Sequence, residues 1–164
     1  MKLKDFFTFK KKEETLAPHL ELGQRGELLA KIFLESEGYK IVASNFTIPV
    51  GRNMRGAMIN GEIDIVAYDS ETLCFVEVKT RRSDDFAAPS ASVDGRKQRQ
   101  ITRAARAYRR MFGLLGREYR YDVVSIVLAK NERGEDKPRI ELLRNFWTES
   151  KFRKRRWARE EFSY

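Results

Sequence analysis

This sequence predicts an α/β fold, a central sheet flanked by helices in the order α-β-β-β-α-β with a further short strand at an edge. Three observations predict it. Two segments carry apolar residues at helical spacing, and between them lie three short runs with β-branched and apolar character. The run Val123-Val124-Ser125-Ile126-Val127-Leu128 that follows the second helix reads as a buried strand. A length of 164 residues with 41% hydrophobic residues, 11 of them Phe, suits one domain with a real core.

From the N-terminus, residues 1–20 are rich in Lys, Glu and Phe without a clean period and are expected to form a basic arm. A helix starts at Leu22, with Leu22, Gly26, Leu29, Ala30 and Phe33 on one side, and Gly38 is placed to end it with a left-handed cap. Ile41 to Val50 predicts a strand with Pro49 near its end, and Gly51-Arg52-Asn53-Met54-Arg55-Gly56 a basic turn or hairpin tip. Strands Gly61 to Tyr68 and Leu73 to Thr80 follow, joined by Asp69-Ser70-Glu71-Thr72, and residues 81–94 read as loop. The second helix is expected over Val93 to Phe112. Val93, Ile101, Ala104, Ala105, Tyr108 and Met111 form its apolar stripe, and Arg96, Arg99, Arg103, Arg106 and Arg110 lie mostly elsewhere. Tyr119 to Ala129 and a short edge strand at Arg139 to Leu143 complete the domain, set at 21–147. A basic tail, 148–164, closes the chain, and no internal repeat is visible.

The balance of 33 Lys+Arg against 24 Asp+Glu leaves a net charge of +9, which favours polyanionic partners, nucleic acid first and a membrane surface second. One cysteine, Cys74, excludes an intramolecular disulfide and a thiolate cluster. A reducing, cytoplasmic setting is the expectation, since no apolar run approaches the ~20 residues that cross a bilayer and Asp5, Thr8 and Lys10 interrupt any secretory run.

Chemistry concentrates at Gly61-Glu62-Ile63-Asp64 and Glu77-Val78-Lys79. Side chains alternate along a strand, so Glu62 and Asp64 are expected on one face and Ile63, Ile65 and Ala67 on the other, while Glu77 and Lys79 share a face of the next strand. A hairpin centred between Ser70 and Glu71 sets Tyr68 opposite Leu73, Asp64 opposite Glu77 and Glu62 opposite Lys79. Opposed carboxylates with Cβ atoms roughly 5 Å apart repel unless one is protonated or a cation sits between them. A hard divalent ion, Mg²⁺ or Mn²⁺, held by Asp64, Glu77 and a backbone carbonyl relieves that repulsion; the oxygen-only donor set argues against structural zinc. With Lys79 as ammonium, the set has the parts for phosphodiester hydrolysis. The competing reading is an exposed hairpin face with an ordinary Glu62–Lys79 cross-strand ion pair.

Taken together, Gly26-Glu27, Gly61-Glu62-Ile63-Asp64-Ile65-Val66-Ala67, Phe75-Val76-Glu77-Val78-Lys79-Thr80-Arg81, Lys97 and Asp122-Val123-Val124 resemble the YraN-like family of uncharacterised predicted endonucleases, from about Leu22 to Leu128. The resemblance implies the restriction-endonuclease-like, PD-(D/E)xK fold: a central mixed β-sheet flanked by helices, carrying an acidic residue and a Glu-x-Lys on adjacent strands. Asp64, Glu77 and Lys79 match those positions, with Asp64 and Glu77 the implied metal ligands. Glu27 matches an additional acidic residue of the first helix; its alternative role is a first-turn acid that favours the helix dipole. Ile63 stands where the motif's name has Pro, and Ile48 to Asn60 looks longer than the family's connection, adding Arg52 and Arg55 near the expected site. Lys97, on the inward stripe, either meets an acidic site or phosphate or snorkels to the surface. Arg52, Arg55, Arg81, Lys97, Gln98, Arg153 and Arg155 are the candidate nucleic-acid contacts. The expected activity is divalent-metal-dependent hydrolysis of nucleic acid, DNA ahead of RNA, including branched or structured DNA. The alternatives are a non-catalytic nucleic-acid binder on the same fold and a structural or adaptor domain. No membrane partner is expected, and the sequence leaves the oligomeric state open.

Overall fold

A computed structural model of the chain describes residues 18–82, 93–130 and 136–152. Its elements are α1 (Pro18–Ser36), β1 (Lys40–Arg52), β2 (Met58–Asp69), β3 (Thr72–Arg82), α2 (Gly95–Met111), β4 (Tyr119–Lys130), β5 (Asp136–Trp147) and a short 3-10 helix (Glu149–Phe152). The expected basic arm through residue 17, the loop 83–92 and the tail from residue 153, with Arg153 and Arg155, lie outside the described residues.

The five strands form one mixed sheet in the order β1-β2-β3-β4-β5. β3 and β4 run parallel, which requires the crossover that α2 supplies, and the other neighbours are antiparallel. The α/β class and the element order are as the sequence predicts. Each helix covers one face of the sheet. Ala30 and Leu34 of α1 pack on Ile65, Ala67, Cys74, Val76, Val124 and Ile126. Ile101, Ala104, Ala105 and Tyr108 of α2 pack on Ile63, Val66, Leu73, Phe75, Tyr121 and Val123. Burial on both faces explains why β4 reads as a continuous apolar run rather than an alternating one.

Two glycines set the distance between layers. A Cβ on Gly26 would stand 1.6 Å from Thr80 Oγ1, so α1 rests directly on β3 one residue beyond Lys79. A Cβ on Gly61 would lie 2.8 Å from Ala104 Cβ, which holds α2 against β2. α1 ends in a Schellman motif: Gly38 has φ +88, its N–H donates to the Glu35 carbonyl, and the Tyr39 N–H donates to the Leu34 carbonyl.

Several expectations are corrected. α1 begins at Pro18 rather than Leu22, so Gly26-Glu27 lies well inside the helix, and the first-turn role for Glu27 falls away. Asp94 is the N-cap of α2, its side chain accepting from the Lys97 N–H at 2.8 Å, so the buried Val93 precedes the helix. Met111 is 60% exposed and leaves the apolar stripe. β5 is a full twelve-residue strand whose Trp147 stacks on Tyr121 at 4.8 Å and donates its indole N–H to Thr102 Oγ1. The segment from Ile48 to Asn60 is a paired extension of β1 and β2, capped by the Asn53 side chain, which accepts from the Arg55 and Ala57 N–H groups. Among the described residues no helix is long and apolar enough to cross a membrane.

Candidate metal centre

The β2–β3 hairpin has the register that its two-residue turn dictates: Asp69 pairs with Thr72, Tyr68 with Leu73, and so on to Ile65 with Val76. There the ladder stops. β3 continues beside β4 as far as Arg82 and Leu128, while β2 continues beside β1, so β2 and β3 part just where Asp64 and Glu77 stand.

The parting coincides with a break in alternation. Ile63 belongs to the cluster under α2, whereas Ile65 and Ala67 belong to the cluster under α1. The expectation that these three share a face is therefore corrected. The neighbouring strand breaks at the same level: Ser44 pairs with Ile65 and Phe46 with Ile63, and Asn45 between them adopts a left-handed φ of 50°.

Asp64 fills the gap between the strands. Its Oδ2 accepts from the Val78 backbone N–H at 2.8 Å. On β3 the alternation stays regular, with Cys74, Val76 and Val78 toward α1, so Glu77 projects toward α2. Glu77 is 1% exposed, and its carboxylate meets Lys79 Nζ at 2.8 Å on Oε1 and Lys97 Nζ, from the first turn of α2, at 3.3 Å on Oε2. Oε2 is a buried carboxylate oxygen without a hydrogen-bond partner, and the Lys97 ammonium reaches it as an ion pair. The Asp64 carboxyl stands close enough to Glu77 to feel its charge.

Burial first, and the Glu77 charge second, push the Asp64 carboxyl up to about 6 from an ordinary 3.8, against the lowering effect of the Val78 N–H. Lys97 is held above its ordinary value: burial acts to lower it, but the Glu77 and Asp64 charges together outweigh that effect. Two neighbouring acids, one buried and one half-buried, with one carboxylate oxygen left unsatisfied, fit a hard divalent cation. Asp64, Glu77 and a β3 carbonyl are its candidate donors. Among the described residues no group of three His, Cys, Asp or Glu stands close enough to hold a metal, so waters and substrate oxygens would complete the coordination, as is usual for Mg²⁺.

The other candidate residues are distributed around this centre. Glu27 is anchored one strand away, its Oε2 accepting from Asn45 Nδ2 at 2.9 Å, and Asn45 lies level with Asp64. Sequence reasoning missed Asn45, since a lone Asn within a strand gives no signal until its φ is known. Glu62 is exposed and pairs along the ladder with Thr47, and Lys79 turns to Glu77 instead. Arg81 lies two residues beyond Lys79 on β3. Gln98 is buried, donating to the Val93 carbonyl and accepting from Lys151 Nζ, and so faces inward. Arg52 and Arg55 sit at the tip of the β1–β2 hairpin, about 20 Å along the strand from Asp64 at ~3.4 Å per residue, rather than beside the centre.

On β4, opposite Val76 and on the α1 face of the sheet, Asp122 is fully buried in a second polar network. It accepts from Arg120 Nε at 3.0 Å, from the Tyr39 hydroxyl at 3.2 Å and from the Asn145 N–H at 2.8 Å. Each contact there is intramolecular, and together they tie α1, β4 and β5 to one another.

The span that holds the centre is also the span over which the chain is similar to other proteins. The sequence profile of the Uncharacterised protein family UPF0102 matches residues 26–126. A UPF0102 protein of Desulfosudis oleivorans is 42% identical over 125 residues, 76% of this chain and 88% of that protein. One from Geobacter sulfurreducens is 44% identical over 124 residues, 76% and 86% of the two chains. A third, from Chlorobium chlorochromatii, is 39% identical over 131 residues, 79% and 93%. The matched span opens at the glycine that seats α1 on β3 and takes in Asp64, Glu77, Lys79 and Asp122, so the chain belongs to the UPF0102, or YraN-like, family.

Proposed function

We propose that this protein is a divalent-metal-dependent phosphodiesterase acting on nucleic acid, DNA in the first place and branched or structured DNA among its forms. One observation carries the reading: a buried carboxyl, Glu77, and a half-buried one, Asp64, come together where β2 and β3 part, with Glu77 Oε2 lacking a hydrogen-bond partner and two ammonium groups beside it. A β-sheet has no structural need of such a pair, and burying it is costly unless a ligand uses it.

When bound, Mg²⁺ or Mn²⁺ at Asp64 and Glu77 would polarise a phosphoryl oxygen and lower the pKa of a water. The chain's own groups do the rest. The Val78 N–H fixes the Asp64 carboxylate in one orientation, leaving its second oxygen to face the centre. Lys79 Nζ, held at 2.8 Å by Glu77 Oε1, supplies a positive charge for the attacking water or the developing negative charge on phosphorus. Lys97 brings a second ammonium from the opposite layer, suited to a non-bridging phosphate oxygen. Both lysine side chains keep about a third of their surface exposed, so a phosphodiester can reach them from solvent.

The second reading, nucleic-acid binding without turnover, draws on Lys97, whose ammonium already places a positive charge 3.3 Å from Glu77 Oε2. The two separate in one experiment. Linear, single-stranded and four-way-junction DNA and RNA are incubated with the protein in Mn²⁺, Mg²⁺ or EDTA, beside Asp64→Ala and Lys79→Ala. Metal-dependent cleavage lost in both variants is the expected result; binding without cleavage in any metal favours the second reading.

A further inference from the structure

The outer face of α2 carries a cationic feature that the metal centre does not use. Arg96, Arg99, Arg103, Arg106 and Arg110 are all exposed, opposite a buried face of Ile101, Thr102, Ala105 and Tyr108. Residues three and four apart share a helix face, so the arginines form a row with one guanidinium per turn, about 21 Å long from Arg96 to Arg110. The row starts next to Lys97, which reaches Glu77. Among the described residues Arg106 alone of the five has a carboxylate within ion-pair distance, Glu149 at 2.7 Å. Like charges at this spacing disfavour a helix unless an anion neutralises them.

Beside the row lies a cleft of about 370 Å³ lined by Arg99, Thr102, Arg103, Arg106, Glu149 and Phe152. Its cations are held in place. The Arg99 guanidinium sits 5.8 Å over the Phe152 ring, Arg103 Nη2 donates to the Val50 carbonyl at 3.2 Å, and Arg106 is fixed by Glu149. Glu149 is itself held by the Tyr121 hydroxyl and by Arg109. Arginines so anchored lose little freedom on meeting phosphate and offer a planar fork to its oxygens.

We propose that this row and cleft form a phosphate track: one strand of a nucleic acid runs along α2, its sugar-phosphate backbone against Arg99, Arg103 and Arg106. The strand's direction, from Lys97 outward, rests on the reading of Asp64 and Glu77 as a phosphodiesterase centre; phosphate binding by the row does not. Lys97 to Arg106 spans about 14 Å of helix, or about four nucleotides of one duplex strand.

The test measures binding without turnover: a fluorescein-labelled duplex DNA titrated in EDTA over a range of potassium chloride, followed by anisotropy. Arg99→Ala with Arg103→Ala is compared with the charge-matched pair Arg117→Ala with Arg139→Ala, placed away from α2. Alanine is a strong helix former at exposed positions, so the row variant retains its fold, which circular dichroism verifies. The expected result is an affinity loss of about 10-fold or more in the row variant, with the slope of log affinity against log salt reduced by about 2, and a markedly smaller loss in the control pair. Phe152→Ala, which frees Arg99, should lose affinity several-fold. Equal losses in the two double variants, an unchanged row variant, or a wild type that does not bind DNA would each overturn the track. So would phosphatidylserine vesicles that bind through the same arginines and displace the DNA at equal charge. Because no metal is present, failure of the cleavage experiment leaves this result standing, and a failed track leaves the metal centre untouched.

Discussion

The backbone N–H of Val78 donates to Asp64 Oδ2 at 2.8 Å, across the point where β2 and β3 cease to pair. A side chain there takes the place of a ladder carbonyl. The bond satisfies a donor that the parting strands would otherwise leave open, and it turns the Asp64 carboxyl toward Glu77.

Metal-free protein should show the cost of that arrangement as a pH dependence. The folded Asp64 carboxyl titrates at about 6 against an ordinary 3.8, so the fold favours its protonated form. This contribution is fully present below pH ~3.8 and is lost as pH rises through ~6, amounting to about 2–3 kcal/mol at most. Asp64→Asn keeps an acceptor for Val78 and carries no charge. In EDTA it should therefore melt several degrees above wild type at pH 8 and close to it near pH 4; parallel melting profiles across that range would contradict the raised Asp64 titration.

Divalent cations should reverse the deficit. Mn²⁺ or Mg²⁺ is expected to raise the wild-type melting temperature at pH 8, by about 2.7 kcal/mol of stability at a hundredfold excess over Kd. The gain should shrink below pH 6 and vanish in Glu77→Gln. Scanning calorimetry with and without metal checks it, and an equal rise in Glu77→Gln would place the cation elsewhere.

Gly26→Ala should destabilise the protein by roughly 1–3 kcal/mol, because the added methyl meets Thr80 Oγ1 at 1.6 Å and forces α1 away from β3. Thr80→Ala in the same chain should recover part of the loss, since it removes Oγ1 but leaves the two β-carbons crowded. Urea denaturation of the two single variants and the double variant measures the coupling.

Asp122→Ala should cost about 1–3 kcal/mol, the penalty for leaving buried hydrogen-bonding groups unsatisfied, since Arg120 keeps Asp69 as its charge partner. Arg120 Nε would lose its carboxylate and the Asn145 N–H its acceptor. The metal-induced rise in melting temperature should survive, since Asp122 faces α1 while Glu77 faces α2. A lost metal response would mean that the two sites are coupled.

Much of the architecture was legible because its causes are local. A two-residue turn after Asp69 fixes which residues face each other, and the register summing to 141 holds from Asp69–Thr72 to Ile65–Val76. Gly38 announces its own left-handed cap. The chain's family was equally legible from the strings around Asp64 and Glu77. What escaped depends on partners distant in sequence. Continuing the register would make Asp64 and Glu77 a ladder pair, but β3 follows β4 instead, and only the parallel neighbour decides that. The break at Ile63 answers the left-handed Asn45 on β1, which also captures Glu27. β5 looked short because Pro138, Arg139 and Arg144 interrupt its apolar pattern. Its length is set by β4 and by Trp147 meeting Thr102 across the core.

The parting of β2 from β3 also has a mechanical meaning. β1 and β2 form one leaf of the sheet and β3, β4 and β5 the other, joined at the hairpin by five paired positions that all lie on the turn side of Asp64. A small rotation of one leaf about the hairpin end changes the gap between the Asp64 and Glu77 carboxyls more than any distance nearer the turn. A divalent cation held by both carboxyls, as proposed, would tie the two leaves together at the end where no ladder joins them, beneath helices seated at Gly26 and Gly61.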